Sequence, residues 1–202
     1  MTDYFAPLNQ FQLETEIKRS RFIATLIPLS QVASLHELQA QLRLLHPKAN
    51  HHCLAYVLGS PQMPSAAGSS DDGEPSGTAG RPMLNILQKR SIGDVGVVVT
   101  RYFGGIKLGA GGLIRAYGAS VSAALDEMEL VVKSKQHLFS LRYPYELETE
   151  MQKLMIGFEC TMVDEKFSEV VERNLTVSDS SWAKLQLALN ELKYRGLELT
   201  SD

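Results

Sequence analysis

A β-branched segment followed by closely spaced glycines constrains the fold of this 202-residue chain more than any other feature. Residues 95–102 contain the run Gly-Val-Val-Val-Thr, which is typical of a strand inside a sheet because branched side chains pack well on a pleated surface. Five glycines follow within residues 104–112, and an apolar, alanine-rich stretch at residues 113–128 then predicts a helix. A strand, a glycine turn and a helix in this order aim the free amide groups of the helix start at one point.

The segments before this strand predict further elements of the same domain. Alternating apolar residues at 11–17 and an apolar run at 22–27 predict two strands, and a leucine stripe at residues 32–45 predicts a helix that ends before Pro47. Residues 53–58 predict a compact strand, and residues 81–87 predict a short helix. Between them, residues 59–80 contain five Gly, three Pro and five Ser, which predicts a long loop of the kind that is usually functional or disordered.

The last part of the chain follows a different pattern. Residues 138–199 predict the order β-α-β-β-α-β, which is typical of a ferredoxin-like domain. The charge balance changes as well: residues 1–140 carry 13 Lys and Arg against 11 Asp and Glu, whereas residues 141–202 carry 7 against 12. We therefore predict an α+β protein of two domains, residues 1–134 and residues 135–202, with any anion-binding face on the first.

Composition excludes several classes of protein. No apolar run approaches the roughly 20 residues that span a bilayer, and the first ten residues do not resemble a secretory signal, so no membrane contact and a cytoplasmic location are expected. Cys53 and Cys160 lie far apart without a metal-binding spacing and are expected to be reduced thiols. The net charge of −3 argues against a general polyanion binder.

The glycine turn is the first candidate site. Its amide groups and the neighbouring side chains of Arg101, Lys107 and Arg115 predict a pocket for phosphate. The turn has neither the Gly-Lys-Ser/Thr triplet of a P-loop nor the third glycine of a dinucleotide-binding turn. The alternative is that the glycines only permit tight chain crossings. The glycines concerned are Gly104, Gly105, Gly109, Gly111 and Gly112.

An acidic loop is the second candidate site. Asp71, Asp72 and Glu74 lie within four positions, and a His-His-Cys sequence at residues 51–53 precedes them. Adjacent strand residues point to opposite faces, so only one histidine can face such a site, and we take His52 as the candidate. These four residues could supply a catalytic base or a metal ligand, but no recognised ligand spacing is present, so neither a metal nor a cofactor is predicted. The alternative is that the carboxylates are solvated or cap turns.

A basic segment is the third candidate site. Lys18, Arg19 and Arg21 precede the aromatic Phe22, and basic residues next to an aromatic can follow a nucleic-acid backbone. Three charges in four residues are equally typical of a solvated hairpin corner.

Four segments together resemble the signature of the Impact family, and the likeness is closest to its bacterial members of the YigZ type. The segments are Lys-Arg-Ser-Arg-Phe at 18–22, His-His-Cys at 51–53, Ser-Asp-Asp-Gly-Glu-Pro-Ser-Gly-Thr-Ala-Gly at 70–80 and Val-Val-Thr-Arg-Tyr-Phe-Gly-Gly at 98–105. The resemblance covers nearly the whole chain. It implies a first domain with the fold of the second domain of ribosomal protein S5 and a ferredoxin-like second domain, an arrangement similar to the fourth and fifth domains of elongation factor G.

Two functions remain open from the sequence. The first is a nucleic-acid-binding protein of translation or its regulation, with RNA or the ribosome as the expected partner and a protein partner on the acidic second domain. The second is an enzyme that acts on a phosphorylated small molecule or nucleotide, with the acidic loop supplying a metal ligand or a base. The resemblance also implies that eukaryotic members regulate translation through an additional RWD domain, which is not expected in this chain, so that part of their function is not carried over.

Overall fold

The computed structural model describes residues 3–134 and 136–201. Internal contacts divide the chain into two compact units, of which the first ends at Lys133 and the second begins at Ser134. Residue 135, where the second domain is predicted to begin, lies outside the described residues. That the two halves are separable domains, residues 1–134 and residues 135–202, stays a prediction.

A five-stranded antiparallel sheet forms the centre of the first unit, with the strand order β2-β3-β6-β4-β5. The β-branched segment is the middle strand β6, and it is buried from Val95 to Arg101, as a strand covered on both faces must be. A separate pair, β1 and β7, forms a two-stranded sheet. The strands are β1 (Tyr4–Pro7), β2 (Phe11–Ile17), β3 (Ser20–Pro28), β4 (His51–Leu58), β5 (Ala66–Ser70), β6 (Val95–Tyr102) and β7 (Leu130–Lys133).

Helices cover both faces of this sheet. Helix α1 (Val32–Leu45) packs its leucine stripe on one face, against Leu54 and Val98. Helices α2 (Gly80–Lys89) and α3 (Ala110–Glu127) pack on the other face, where Tyr117 meets Phe22 edge-on with ring centroids 5.2 Å apart. The predicted strand–glycine turn–helix unit is therefore β6, the turn after it and α3.

The predicted loop at residues 59–80 is partly wrong, because it contains the edge strand β5. Ala66–Ser70 pairs antiparallel with β4, and Gly68 lies against the ring of Tyr56, where a Cβ atom would come within 2.8 Å of it. Small residues give a weak strand signal, since it is the partner strand and not their own side chains that holds them. The segment 71–79 that follows is the acidic loop.

The second unit has the predicted ferredoxin-like order. Its four strands form an antiparallel sheet in the order β11-β8-β10-β9. Two helices cover one face, where Met151, Leu185 and Leu189 pack with Phe139 and Leu175. The α+β fold class predicted from the sequence is confirmed. The elements are β8 (Gln136–Tyr143), α4 (Glu148–Gly157), β9 (Thr161–Phe167), β10 (Val171–Ser178), α5 (Asp179–Asn190) and β11 (Glu198–Ser201), with short 3-10 turns at Tyr145–Leu147 and Lys193–Arg195.

Within residues 3–134 and 136–201, every helix is too short or too polar to cross a bilayer.

Candidate functional site

Three turns of the first unit meet at one end of its large sheet. The amide of Gly104 donates a hydrogen bond to the Ser20 hydroxyl at 3.2 Å, which joins the segment after β6 to the β2–β3 hairpin. The amide of Phe103 donates to the Asn50 side-chain oxygen at 2.9 Å, which joins the same segment to the start of β4. The fold therefore brings the basic segment and the glycine turn together, although about 80 residues separate them in the chain.

A cavity of about 330 Å³ opens at this end of the sheet, between the acidic loop and the start of α3. We call it the cleft. The residues that line it come from the start of β4, the acidic loop, the end of β6 and the glycine turn. They include His51, Glu74, Arg101, Phe103, Lys107 and Gly109. Two of the three sequence-predicted sites thus contribute to a single cavity.

The start of α3 faces solvent at the rim of the cleft. Gly109 is its N-cap and has φ +70°, a conformation that a residue with a Cβ rarely adopts. Within the part of the chain that the structure describes, no side chain caps the helix, and the first helical turn contains no acidic residue. The first bond within the helix runs from the Leu113 amide to the Gly109 carbonyl at 2.9 Å, so the amides of residues 110–112 precede it. Such a helix start carries about half a positive charge and favours an anion.

The other glycines have different roles. Gly104 sits where the chain crosses the hairpin turn, and a Cβ there would overlap the carbonyl group of Arg19. Gly112 is also closely packed, because a Cβ atom there would lie 3.0 Å from the side chain of Leu108. Gly105 has φ +83° and open space around it, and Gly111 is exposed. At Gly104 and Gly112 the absence of a Cβ is therefore required by chain crossing and packing.

The predicted cations divide into two groups. Lys107, Arg115, Lys18 and Arg19 are exposed, and within the described part of the chain none of them pairs with a carboxylate. Lys18 and Arg19 form the hairpin turn itself, with φ +48° and +65°. Arg21 instead pairs with Glu14 through two hydrogen bonds of 2.7 and 2.8 Å.

Arg101, which the sequence predicts as part of a phosphate pocket, is held by a carboxylate of its own chain. Its side chain is only 7% exposed, and Nη1 donates to Glu74 Oε1 at 2.6 Å. Its guanidinium lies near the rings of Phe22 and Phe103, 5.5 and 5.8 Å from their centroids. The reason is the strand position: an arginine near the end of a central strand is covered by its neighbours and needs a buried counter-ion.

Asp71 and Asp72 are used by the protein's own chain. Asp71 accepts hydrogen bonds from the amides of Gly77, Ala79 and Gly80 at 2.7, 3.0 and 2.8 Å, which closes the loop and caps α2. Burial alone would raise the pKa of Asp71, but these three amides together lower it below its ordinary value. Asp72 accepts from the His52 amide at 2.5 Å and pairs with Arg43. Neither carboxylate is among the residues that line the cleft.

Glu74 is the acidic residue that does line the cleft. Its side chain is 3% exposed, and Oε1 accepts both from Arg101 and from the Tyr117 hydroxyl, the latter at 2.7 Å. Burial raises the pKa of Tyr117 far above its ordinary value, so the phenol stays protonated and donates. The Cys53 thiol donates to the same hydroxyl at 3.3 Å, and burial raises the pKa of Cys53 to about 12. Cys53 is therefore a packed thiol and not a nucleophile.

His51, and not His52, faces the cleft. His51 Nε2 lies 3.9 Å from Glu74 Oε2, and its Nδ1 lies 2.8 Å from the Asp72 carbonyl oxygen. His52 points to the opposite face of β4, where its Nδ1 meets the Thr100 hydroxyl at 3.0 Å. Burial is the main reason that the pKa of His52 is lowered. Since strand side chains alternate, the buried Cys53 on the α2–α3 face already indicated that His51 shares its side.

Apolar side chains that were not predicted from the sequence also contribute to this surface. Phe103 lines the cleft and is 46% exposed, and Ile106 and Ile114 are 41% and 44% exposed nearby in the chain. The sequence places all three residues within or beside the glycine turn and near cations, but it does not reveal that their side chains are exposed. Among the described residues no group of three or more His, Cys, Asp or Glu side chains is placed to hold a metal ion.

Comparison with known proteins shows where this arrangement belongs. The family model of the Impact N-terminal domain matches residues 18–125, slightly more than half of the chain and most of the first unit. The chain belongs to the Impact family. The match begins at the basic hairpin turn and ends within α3, so the hairpin turn, the acidic loop and the glycine turn all lie inside this Impact domain.

Relatives of similar length extend the likeness to the second unit. A Haemophilus influenzae protein described as an IMPACT family member is 38% identical, over 95% of this chain and 93% of that protein. The IMPACT family member YigZ of Escherichia coli is 33% identical over 98% of each chain. YvyE of Bacillus subtilis, also an IMPACT family member, is 40% identical over 89% of this chain and 84% of its own. A crystal structure described as that of a hypothetical protein is 32% identical, with a TM-score of 0.65 over 100% and 98% of the chains.

Proposed function

We propose that this Impact-family chain is a nucleic-acid-binding protein that binds RNA at the cleft. The observation that carries the proposal is the exposed, uncapped start of α3 beside Lys107. Its amides and this ammonium group offer several donors to one phosphate, and the helix start adds a favourable field. Arg115 adds a second charge at the same place, because a Cβ atom on Gly111 would lie 3.8 Å from Arg115 Nη1.

The neighbouring groups suit a polynucleotide better than a single anion. Lys18 and Arg19 lie on a turn that contacts the glycine segment, so they offer a second position for a backbone phosphate. Phe103 presents an exposed ring that lines the cleft together with Lys107, and an aromatic ring can stack on any base. Stacking of this kind contributes about 1–3 kcal/mol per base, comparable with a phosphate contact.

The class of RNA follows from the family resemblance and not from the cleft. Because the two units resemble neighbouring domains of elongation factor G, we propose RNA of the translation machinery as the partner. The basis for this choice of partner is an analogy between folds. Residues 141–202 carry 7 basic against 12 acidic side chains, which disfavours phosphate there. We therefore assign the second unit to contact with a protein partner.

A salt titration tests the proposal directly. The wild-type protein is titrated with fluorescent single-stranded oligouridylate of about 10 nucleotides while the salt concentration is varied. Backbone contacts release counter-ions, so the logarithm of the affinity should fall by about 0.7 per phosphate contact for each log unit of salt. The four exposed cations predict a slope of about −2 to −3. No binding at low salt, or binding without salt dependence, would contradict the proposal.

One observation favours an enzyme as the second candidate. Glu74 and His51 place a carboxylate and an imidazole 3.9 Å apart in the same cavity as the anion site. Such a pair could move a proton on a phosphorylated small molecule or nucleotide held at the start of α3. Incubation with nucleoside triphosphates, followed by measurement of released phosphate, tests this function. Turnover that Glu74→Gln abolishes would favour the enzyme, and a nucleotide that binds without turnover would favour the binding protein.

A further inference from the structure

Glu74 offers one oxygen to the cleft that the protein leaves available. Oε1 accepts from both Arg101 and Tyr117, as a carboxylate oxygen with two lone pairs can. Within the described residues no hydrogen bond reaches Oε2, and His51 Nε2, at 3.9 Å, lies too far away to donate one. An available carboxylate oxygen therefore faces the cavity that the start of α3 also faces.

His51 adds a second acceptor at the same point. Its Nδ1 lies 2.8 Å from a backbone carbonyl oxygen, which can only accept, so Nδ1 carries the proton. In the neutral imidazole the other nitrogen, Nε2, is then an acceptor. Two acceptors 3.9 Å apart favour a ligand that places a hydrogen-bond donor at this end of the cleft.

The cleft thus has two ends of opposite preference. At the start of α3 and Lys107 it presents donors and positive charge, whereas at Glu74 and His51 it presents acceptors and a negative charge. A bare phosphate satisfies only the first end and is repelled by the second. The volume of about 330 Å³ is at the lower end of the range for ligand pockets, which suits one sugar–phosphate unit.

We propose that the cleft recognises the ribose hydroxyl of RNA, with the phosphate at the start of α3 and the 2′-hydroxyl donating to Glu74. This inference rests on the proposed function and makes Glu74 the residue that selects RNA over DNA. The 2′-hydroxyl is the group that distinguishes the two polymers at a given site, and it is a neutral donor of the kind the acceptor end requires.

The first experiment uses the wild-type protein alone. Oligouridylate, oligodeoxyuridylate and 2′-O-methyl oligouridylate of the same length carry the same charge and base, and only the first has a donating 2′-hydroxyl. A hydrogen bond to a charged group predicts at least about tenfold tighter binding of the first than of the other two. Equal binding of all three would overturn the inference and leave the proposed function intact. Absence of binding by all three at low salt would overturn both.

The second experiment varies the carboxylate. Glu74→Asp keeps the charge but withdraws the oxygens from the cleft, and Glu74→Gln replaces the charged carboxylate with a neutral amide that has a single acceptor oxygen. We expect both variants to reduce the preference for RNA over DNA to about twofold, because the lost hydrogen bond accounts for most of the preference. Tyr117→Phe is the matched control: it removes a buried contact to Oε1 and should keep the preference. Thermal unfolding checks each variant, and a folded Glu74 variant with the full RNA preference would overturn the inference.

Discussion

In the acidic loop, the carboxylates of Asp71 and Asp72 are occupied by backbone amides and by Arg43, all from the same unit of the protein. In the glycine turn, the amides at the start of α3 and the ammonium of Lys107 are left to solvent. Both segments are dense in polar groups and both adjoin the cleft. They differ in whether the fold itself uses those groups.

This difference separates a supporting role from a binding role. A polar group that the chain already satisfies contributes to stability, and only an available one can contribute to affinity. Arg101 and Glu74 combine both roles, since each lines the cleft and each is held by the other. The comparison therefore predicts that substitutions in the acidic loop change the free energy of unfolding, whereas those in the glycine turn change the affinity for RNA.

The largest effect is expected for Arg101→Ala. It leaves Glu74 as a buried carboxylate without its counter-ion, which typically destabilises a protein by about 3–5 kcal/mol. Chemical denaturation measures this loss. Arg21→Ala is the control, because its pair with Glu14 is about half exposed on both sides and should contribute little to the free energy of unfolding. Equal losses for the two variants would place Arg101 among the surface cations and break the comparison.

A smaller loss is expected for Asp71→Ala. The variant removes the acceptor of three amide hydrogen bonds and the cap of α2. We therefore expect the free energy of unfolding to fall by about 2–3 kcal/mol. Asp126→Ala is the control, since that carboxylate is 61% exposed and pairs only at the surface with Arg90. If the two variants unfold at the same denaturant concentration, the loop does not depend on Asp71.

The same contact predicts a pH dependence. The pKa of Asp71 is lower in the folded protein than in the unfolded chain, where it is about 3.9. Its contribution is therefore complete above pH of about 4 and is lost as the pH falls from there through the folded value. The difference in unfolding free energy between wild type and Asp71→Ala should narrow below about pH 4. A difference that stays constant to lower pH would exclude an ionised Asp71 as its cause.

The smallest effect on stability is expected for Lys107→Ala. An exposed side chain outside the core should change the free energy of unfolding by less than about 0.5 kcal/mol. Its effect should appear in binding, where loss of one phosphate contact lowers the salt slope by about 0.7. Lys89→Ala, in the last turn of α2, is the control with the same change in charge. Identical affinities and slopes for the two variants would move the phosphate site away from α3.

The sequence was sufficient for the elements whose own side chains specify them. The β-branched β6 and the leucine stripes of α1 and α5 were predicted because apolar periodicity follows burial directly. Strand β5 was not, because its small residues are held by β4 and carry little signal themselves. The ferredoxin-like order of the second unit was predicted from the sequence of elements alone.

The candidate site was predicted in location and only partly in detail. The basic segment, acidic loop and glycine turn were all identified, but their meeting at one end of the sheet depends on long-range hydrogen bonds such as that between Gly104 and Ser20. The pairing of Arg101 with Glu74 depends on burial, which charge and spacing do not reveal. The choice of His51 over His52 depends on strand register, and Phe103 was missed because an aromatic in a glycine turn gives no sign of its exposure.

The Cys53–Tyr117 contact has a practical consequence for observing the floor of the cleft in solution. An alkylating reagent reacts with a thiolate, and burial suppresses that form at Cys53, whose thiol is fully covered and has a pKa of about 12. Cys160 is partly accessible and has a pKa raised by burial to about 11, so it is labelled first in the native protein. When Cys160 is replaced, Cys53 is the remaining thiol. Its rate of modification then reports how often the Cys53–Tyr117 contact behind Glu74 opens. A bound oligonucleotide should lower this rate.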